Sequence, residues 1–235
     1  MSGNDDSQVF RFKRGSNPAF ARIDGGDCKT VSEVVCRIRN FKNVAKLGES
    51  LRKQIDAGDN RIVFASTGYY DSQKKAVFAL GCYLADIMSK QKILVLTSGK
   101  EGDALKFFEM AEARSLAPLE QSMVYDFGDN LSILDLQEVI SIGGQQRDET
   151  LNNALDAIES YDVVLWSAPP MQIMRQYLPF YHRLLHLFKA MNLVVSRSSM
   201  TTTDINEVKD FFESHGISLK GAMFSSPEMK EEEDK

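Results

Sequence analysis

Short all-apolar runs alternate with segments of helical periodicity through most of the chain. Val31, Val34, Val35, Ile38, Phe41, Val44 and Leu47 recur at steps of three and four, with Thr30 or Ser32 able to cap. This predicts a helix over 30–47, interrupted at Gly48, and a second carrying Leu51 and Ile55 to about Gly58. The alternation then begins: strand 62–66, helix 73–90, strand 93–97, helix 101–114, strand 122–127. The pattern around Leu134, Leu136, Val139 and Ile140 leaves the type of that segment open. Helix 147–159, strand 162–167, helix 172–189, strand 192–196, helix 203–214 and strand 218–224 complete the series. Strands that are apolar throughout, separated by helices of this length, predict a mainly parallel sheet with helices on both faces.

Outside this series the chain is polar. Residues 1–30 read as a flexible arm and 227–235 as a solvated acidic tail, leaving a single α/β domain over 31–226. Within the arm, Val9-Phe10-Arg11-Phe12-Lys13-Arg14 alternates apolar and basic residues, and the competing reading is a short segment that adds to a partner's sheet edge. A formal net charge of -5 argues against nucleic-acid binding by bulk electrostatics. The lack of a roughly 20-residue apolar run and of an apolar amino-terminal core predicts a cytoplasmic protein. Cys28, Cys36 and Cys82 show no paired spacing and fit reduced thiols.

The chemistry concentrates in RIVFASTGYYDSQKKAVFALGCYLA, Arg61 to Ala85. An apolar strand, a Ser-Thr-Gly turn and a helix follow one another as strand, phosphate-binding loop and helix do in P-loop nucleotide hydrolases. Several ordered motifs from Ser32 to Ser225 resemble the tyrosine-kinase domain of bacterial capsule and exopolysaccharide systems, a branch of the chromosome-partitioning ATPase superfamily. That resemblance implies a three-layer P-loop NTPase-like fold. It also shows what is replaced. Against the family's Ser-x-x-Pro-Gly-Glu-Gly-Lys-Ser/Thr, Ser66 and Gly68 lead to Tyr69 for proline, Tyr70 and Ser72 for glycines, Asp71 for glutamate, Gln73 for lysine and Lys74 for the magnesium-binding hydroxyl. Shifting by one restores a lysine at Lys74 but leaves Asp71 in a glycine position and Lys75 in the hydroxyl position. The family's Val-Leu-Leu-Val-Asp-Ala-Asp is Ile93-Leu94-Val95-Leu96-Thr97-Ser98-Gly99, so Thr97 and Gly99 stand for carboxylates. Its Tyr-Asp-x-Val-Ile-Ile-Asp-Thr-Pro-Pro is Tyr161 to Pro170 with Ser167 for the metal-associated aspartate, and its base-reading asparagine is Ser225.

A metal-phosphate site without its cation ligands has no route to phosphoryl transfer. The resemblance therefore implies a degenerate pseudokinase with no ATP or Mg²⁺ and a regulatory or scaffolding role in exopolysaccharide or capsule synthesis and export. The implied partner is a membrane polysaccharide co-polymerase or an active kinase paralogue, with membrane association only through that partner. Two alternatives stand beside it: an ATP-binding kinase or ATPase using Lys74 or Lys75, and a spatial regulator of the partitioning or flagellar-positioning type. The family's ring-forming Glu-x-x-Arg-x-x-Arg survives only as Glu33 and Arg39, with Cys36 between, as an oligomer contact competing with a plain solvated face. His182 and His186 stand at a spacing that can hold zinc on a helix, but no third ligand is evident, and a partly buried or interfacial helix face is the favoured reading.

Overall fold

The computed structural model describes residues 8–10, 42–66, 70–98, 112–116, 119–141, 146–196 and 201–225. Among them lie nine strands: β1 (Gln8–Phe10), β2 (Arg61–Ser66), β3 (Ile93–Thr97), β4 (Glu112–Leu116), β5 (Leu119–Asp126), β6 (Leu131–Asp135), β7 (Val163–Ser167), β8 (Ala190–Ser196) and β9 (Ser218–Ser225). The helices are α1 (Lys42–Asp56), α2 (Tyr70–Ile87), α3 (Leu136–Ser141), α4 (Gln146–Glu159), α5 (Met171–Gln176), α6 (Leu178–Leu185) and α7 (Thr202–Ser214). The strands form one sheet in the order β1-β9-β8-β2-β7-β3-β6-β5-β4. Along the order from β1 to β6 every pairing is parallel; β5 runs antiparallel to β6, and β4 antiparallel to β5, so β5 alone is reversed. The mainly parallel α/β fold expected from the alternation is the fold observed.

The apolar strands are buried on both faces because each face carries its own core. Val63, Ala65, Leu94, Leu96, Val164 and Trp166 point into the core shared with α3 to α7. Their neighbours Ile62, Phe64, Ile93, Val95, Val163 and Leu165 point into the core under α1 and α2. Period-two alternation of side chains across a pleated strand produces this division.

Several local expectations are corrected. Gly48 does not interrupt a helix: α1 runs through it from Lys42 to Asp56. A Cβ at residue 48 would stand 2.1 Å from a Tyr83 ring carbon, so this glycine lets α1 and α2 approach closely. The helix expected over 101–114 fails at its last three residues, which belong to β4; pairing of Glu112 with Asp126 and Arg114 with Val124 overrides local helix propensity. The expected helix 172–189 is two helices broken at Tyr177 (φ -114°, ψ 33°). Pro179, in the first turn of α6, has no N–H to continue the ladder. The segment of open type is β6 running directly into α3. The flexible-arm reading fails for Gln8–Phe10, which pair with Gly221, Ala222 and Met223 of β9. The extended segment finds this chain's own open edge, where unpaired backbone groups need partners. The helix expected over 30–41, together with Glu33 and Arg39, lies outside the described residues.

Candidate functional site

Every parallel strand from β2 to β9 ends in a small polar or acidic residue on one edge of the sheet: Ser66, Thr97, Asp135, Ser167, Ser196 and Ser225. This is the carboxyl edge, where open α/β sheets hold their ligands. Helix α2 starts there at Tyr70, four residues after β2 ends, so Tyr70, Ser72, Gln73 and Lys74 fall in its first turns.

Gln73 is the centre of the arrangement. It is fully buried, and its amide Nε2 donates to the Phe64 carbonyl at 2.8 Å, the Ala168 carbonyl at 2.9 Å and approaches Ser167 Oγ at 3.0 Å. Two carbonyl oxygens can only accept, which fixes the amide orientation: the NH₂ must face them. Gln73 thereby ties the first turn of α2 to the ends of β2 and β7 with neutral hydrogen bonds. Its Oε1 is buried without a hydrogen-bonding partner among the described residues.

Thr97 ends β3 with 3% of its surface exposed, and its Oγ1 also has no hydrogen-bonding partner among the described residues. Because Leu96 pairs with Trp166, Thr97 and Ser167 end neighbouring strands at the same level, both on the α2 face. Lys74 is buried as well, at 5% exposure. Ser225 ends β9 in register with Ser196, two strands from β2, so the structure places it on the same edge but not beside Gln73. Gly68 and Gly99 lie outside the described residues.

Among the described strand ends of this edge one is a carboxylate, and sequence reasoning missed it. Asp135 ends β6, is 1% exposed and pairs in register with Thr97. Its Oδ1 accepts the Gln137 N–H at 2.9 Å, so the carboxyl caps the amino end of α3, where helix polarity favours an acidic group. The signal was an acidic residue closing the apolar run Leu131 to Leu134. Its segment type was open, so the strand end could not be located.

On the opposite face, Trp166 stacks on Tyr181 at 5.9 Å and meets Phe188 at 5.3 Å. Burial pushes the Tyr181 phenol up to about 12, so it stays protonated at physiological pH. Burial also pushes the Cys82 thiol far up, which leaves it an inert core residue rather than a nucleophile. Among the described residues, no helix is long and apolar enough to cross a membrane.

No family model and no curated protein sequence matches the chain. Solved structures do. The tyrosine-kinase domain of BceF superposes with a TM-score of 0.53 at 17% identity, covering 80% of this chain and 77% of that one. The kinase domain of the Escherichia coli tyrosine kinase Etk gives 0.52 at 16%, covering 81% and 78%. The VpsO kinase domain gives 0.51 at 15%, covering 77% and 94%. The chain thus shares the fold of tyrosine-kinase domains at an identity too low to carry function.

Proposed function

We propose that this protein is a catalytically inactive relative of the polysaccharide-system tyrosine kinases, serving as a regulatory or scaffolding partner in exopolysaccharide or capsule synthesis and export. The observation that carries the reading is the bonding of Gln73. In the gap-free register Gln73 stands for the phosphate-loop lysine and Ser167 for the metal-associated aspartate, and the two face each other at 3.0 Å. An ammonium and a carboxylate at these positions would bind phosphate and Mg²⁺; an amide and a hydroxyl bind each other and the Phe64 and Ala168 carbonyls. Asp135, the carboxylate among these strand ends, is engaged in capping α3. ATP and Mg²⁺ are not part of this reading.

The partner is a membrane polysaccharide co-polymerase or an active kinase paralogue, which brings a cytoplasmic protein to the inner face of the membrane. A second reading rests on the burial of Lys74 in the first turns of α2, where its ammonium could serve an unusual phosphate loop. Incubation with Mg²⁺ and γ-labelled ATP separates the two: the proposal expects no label on this chain or on tyrosine-rich peptides, and steady incorporation abolished by Lys74→Ala would establish the second reading. Affinity capture from the native host tests the role. Recovery of a polysaccharide co-polymerase or kinase supports it, whereas recovery of partitioning or flagellar-positioning proteins overturns it in favour of a spatial regulator.

A further inference from the structure

The chain contains three histidines, and the fold brings all of them together. His182 and His186 project from successive turns of α6, with ring centroids 4.5 Å apart. His215, 29 residues beyond His186 in sequence, follows α7 and places its ring 5.8 Å from that of His182. A third imidazole thus stands beside the pair, at the end of another helix. We propose that His182, His186 and His215 form a surface site for a divalent transition metal of the zinc, nickel or copper class, clipping α6 to α7.

Three observations support it. With Zn–N bonds of about 2.0–2.1 Å and tetrahedral angles, two imidazoles on one ion stand with ring centres roughly 5 Å apart, and the observed separations of 4.5 and 5.8 Å bracket that value. Next, His215 Nδ1 lies 2.8 Å from the Phe211 carbonyl oxygen. A carbonyl only accepts, so Nδ1 carries the hydrogen and Nε2 of the neutral ring keeps its lone pair. Metal-binding histidines are held in this way, by a backbone carbonyl on the far nitrogen. Finally, His186 is the C-cap of α6 and His215 the C-cap of α7, so two helix carboxyl ends meet here. Their partial negative charge favours a cation.

As they stand, the rings meet edge to face, and no group of three His, Cys, Asp or Glu among the described residues is placed so that it could hold a metal ion. Closure requires rotation of His182 and His186, which are both solvent-exposed, while His215 stays held by Phe211. Binding joins three imidazole nitrogens to the ion, and water completes the tetrahedron.

The test uses the full chain without a histidine tag, with Cys28 and Cys36 changed to serine so that no thiol competes, and follows Zn²⁺ and Ni²⁺ by calorimetry. The expected result is one equivalent bound at pH 7.5, weakened at least about tenfold by His215→Gln and more by His182→Gln. Zn²⁺ should also raise the midpoint of thermal unfolding in the parent and not in the His182→Gln chain. Absence of binding at about 100 µM metal, or binding that His215→Gln leaves unchanged, overturns the site.

Discussion

Two strand-to-helix junctions lie on the same edge of the sheet and handle charge in opposite ways. At β6–α3 a buried carboxylate survives, because Asp135 accepts the Gln137 N–H at the positive end of a helix. At β2–α2 the central side chain is neutral: Gln73 donates to the Phe64 and Ala168 carbonyls and meets the Ser167 hydroxyl. A buried charge persists only where an opposing charge, a dipole or a ligand compensates it. The first junction offers its carboxyl the amino end of a helix. The second is where resemblance expects a charged pair at positions 73 and 167, and those two positions meet as an amide and a hydroxyl, with buried Lys74 the next residue along the helix.

The strongest way to break this contrast is to put charge back into the second junction. Gln73→Lys alone buries an ammonium opposite a hydroxyl and should cost about 3 kcal/mol or more, as should Ser167→Asp alone. The double variant should recover about 1–3 kcal/mol of the summed loss in a urea-denaturation cycle. Strict additivity would mean that the two positions do not face each other. Next in size is Asp135→Ala, which removes the cap of α3 and should lower stability by about 1–2 kcal/mol. An equal loss from Gln137→Pro, which deletes the accepted N–H, would assign the cost to that single hydrogen bond.

The second junction also depends on how α2 is seated. Gly48→Ala would force a Cβ to within 2.1 Å of the Tyr83 ring and should destabilise by about 1–3 kcal/mol, despite the better helix propensity of alanine. Gly48→Ala combined with Tyr83→Leu should lose much of that penalty. The smallest effect lies at α7, whose box joins Thr201 Oγ1 to the Asp204 N–H at 3.2 Å and Asp204 Oδ2 to the Thr201 N–H at 2.9 Å. The backbone and side-chain hydrogen bonds of Thr201 hold the Asp204 carboxyl below its ordinary value. Its contribution is therefore present above the ordinary aspartate range and is lost as pH falls through the lowered value. Asp204→Asn should flatten that part of the acid limb of the stability curve.

The layered α/β fold was legible because its strands are apolar on both faces, a pattern that Ile62 to Ala65 and Val163 to Trp166 show without ambiguity. Boundaries were lost where tertiary pairing decides. Glu112 to Arg114 form a strand because β5 offers an edge, and Gln8 to Phe10 form one because β9 does. The break at Tyr177 was written in Pro179 but was outweighed by the apolar period on both sides. At the site, the replaced positions could be named from sequence, but not what they do. The bonding of Gln73 to strands 9 and 94 positions away and the approach of His215 to His182 depend on tertiary packing, whereas the cap made by Asp135 is local and was hidden by an unplaced strand end.

The central claim is that neutral bonding at the β2–α2 junction has replaced nucleotide binding. Calorimetric titration of the full chain with ATP, with and without Mg²⁺, tests it most directly. The account predicts no saturable heat up to about 1 mM nucleotide in either condition. Micromolar binding that requires Mg²⁺ would contradict it.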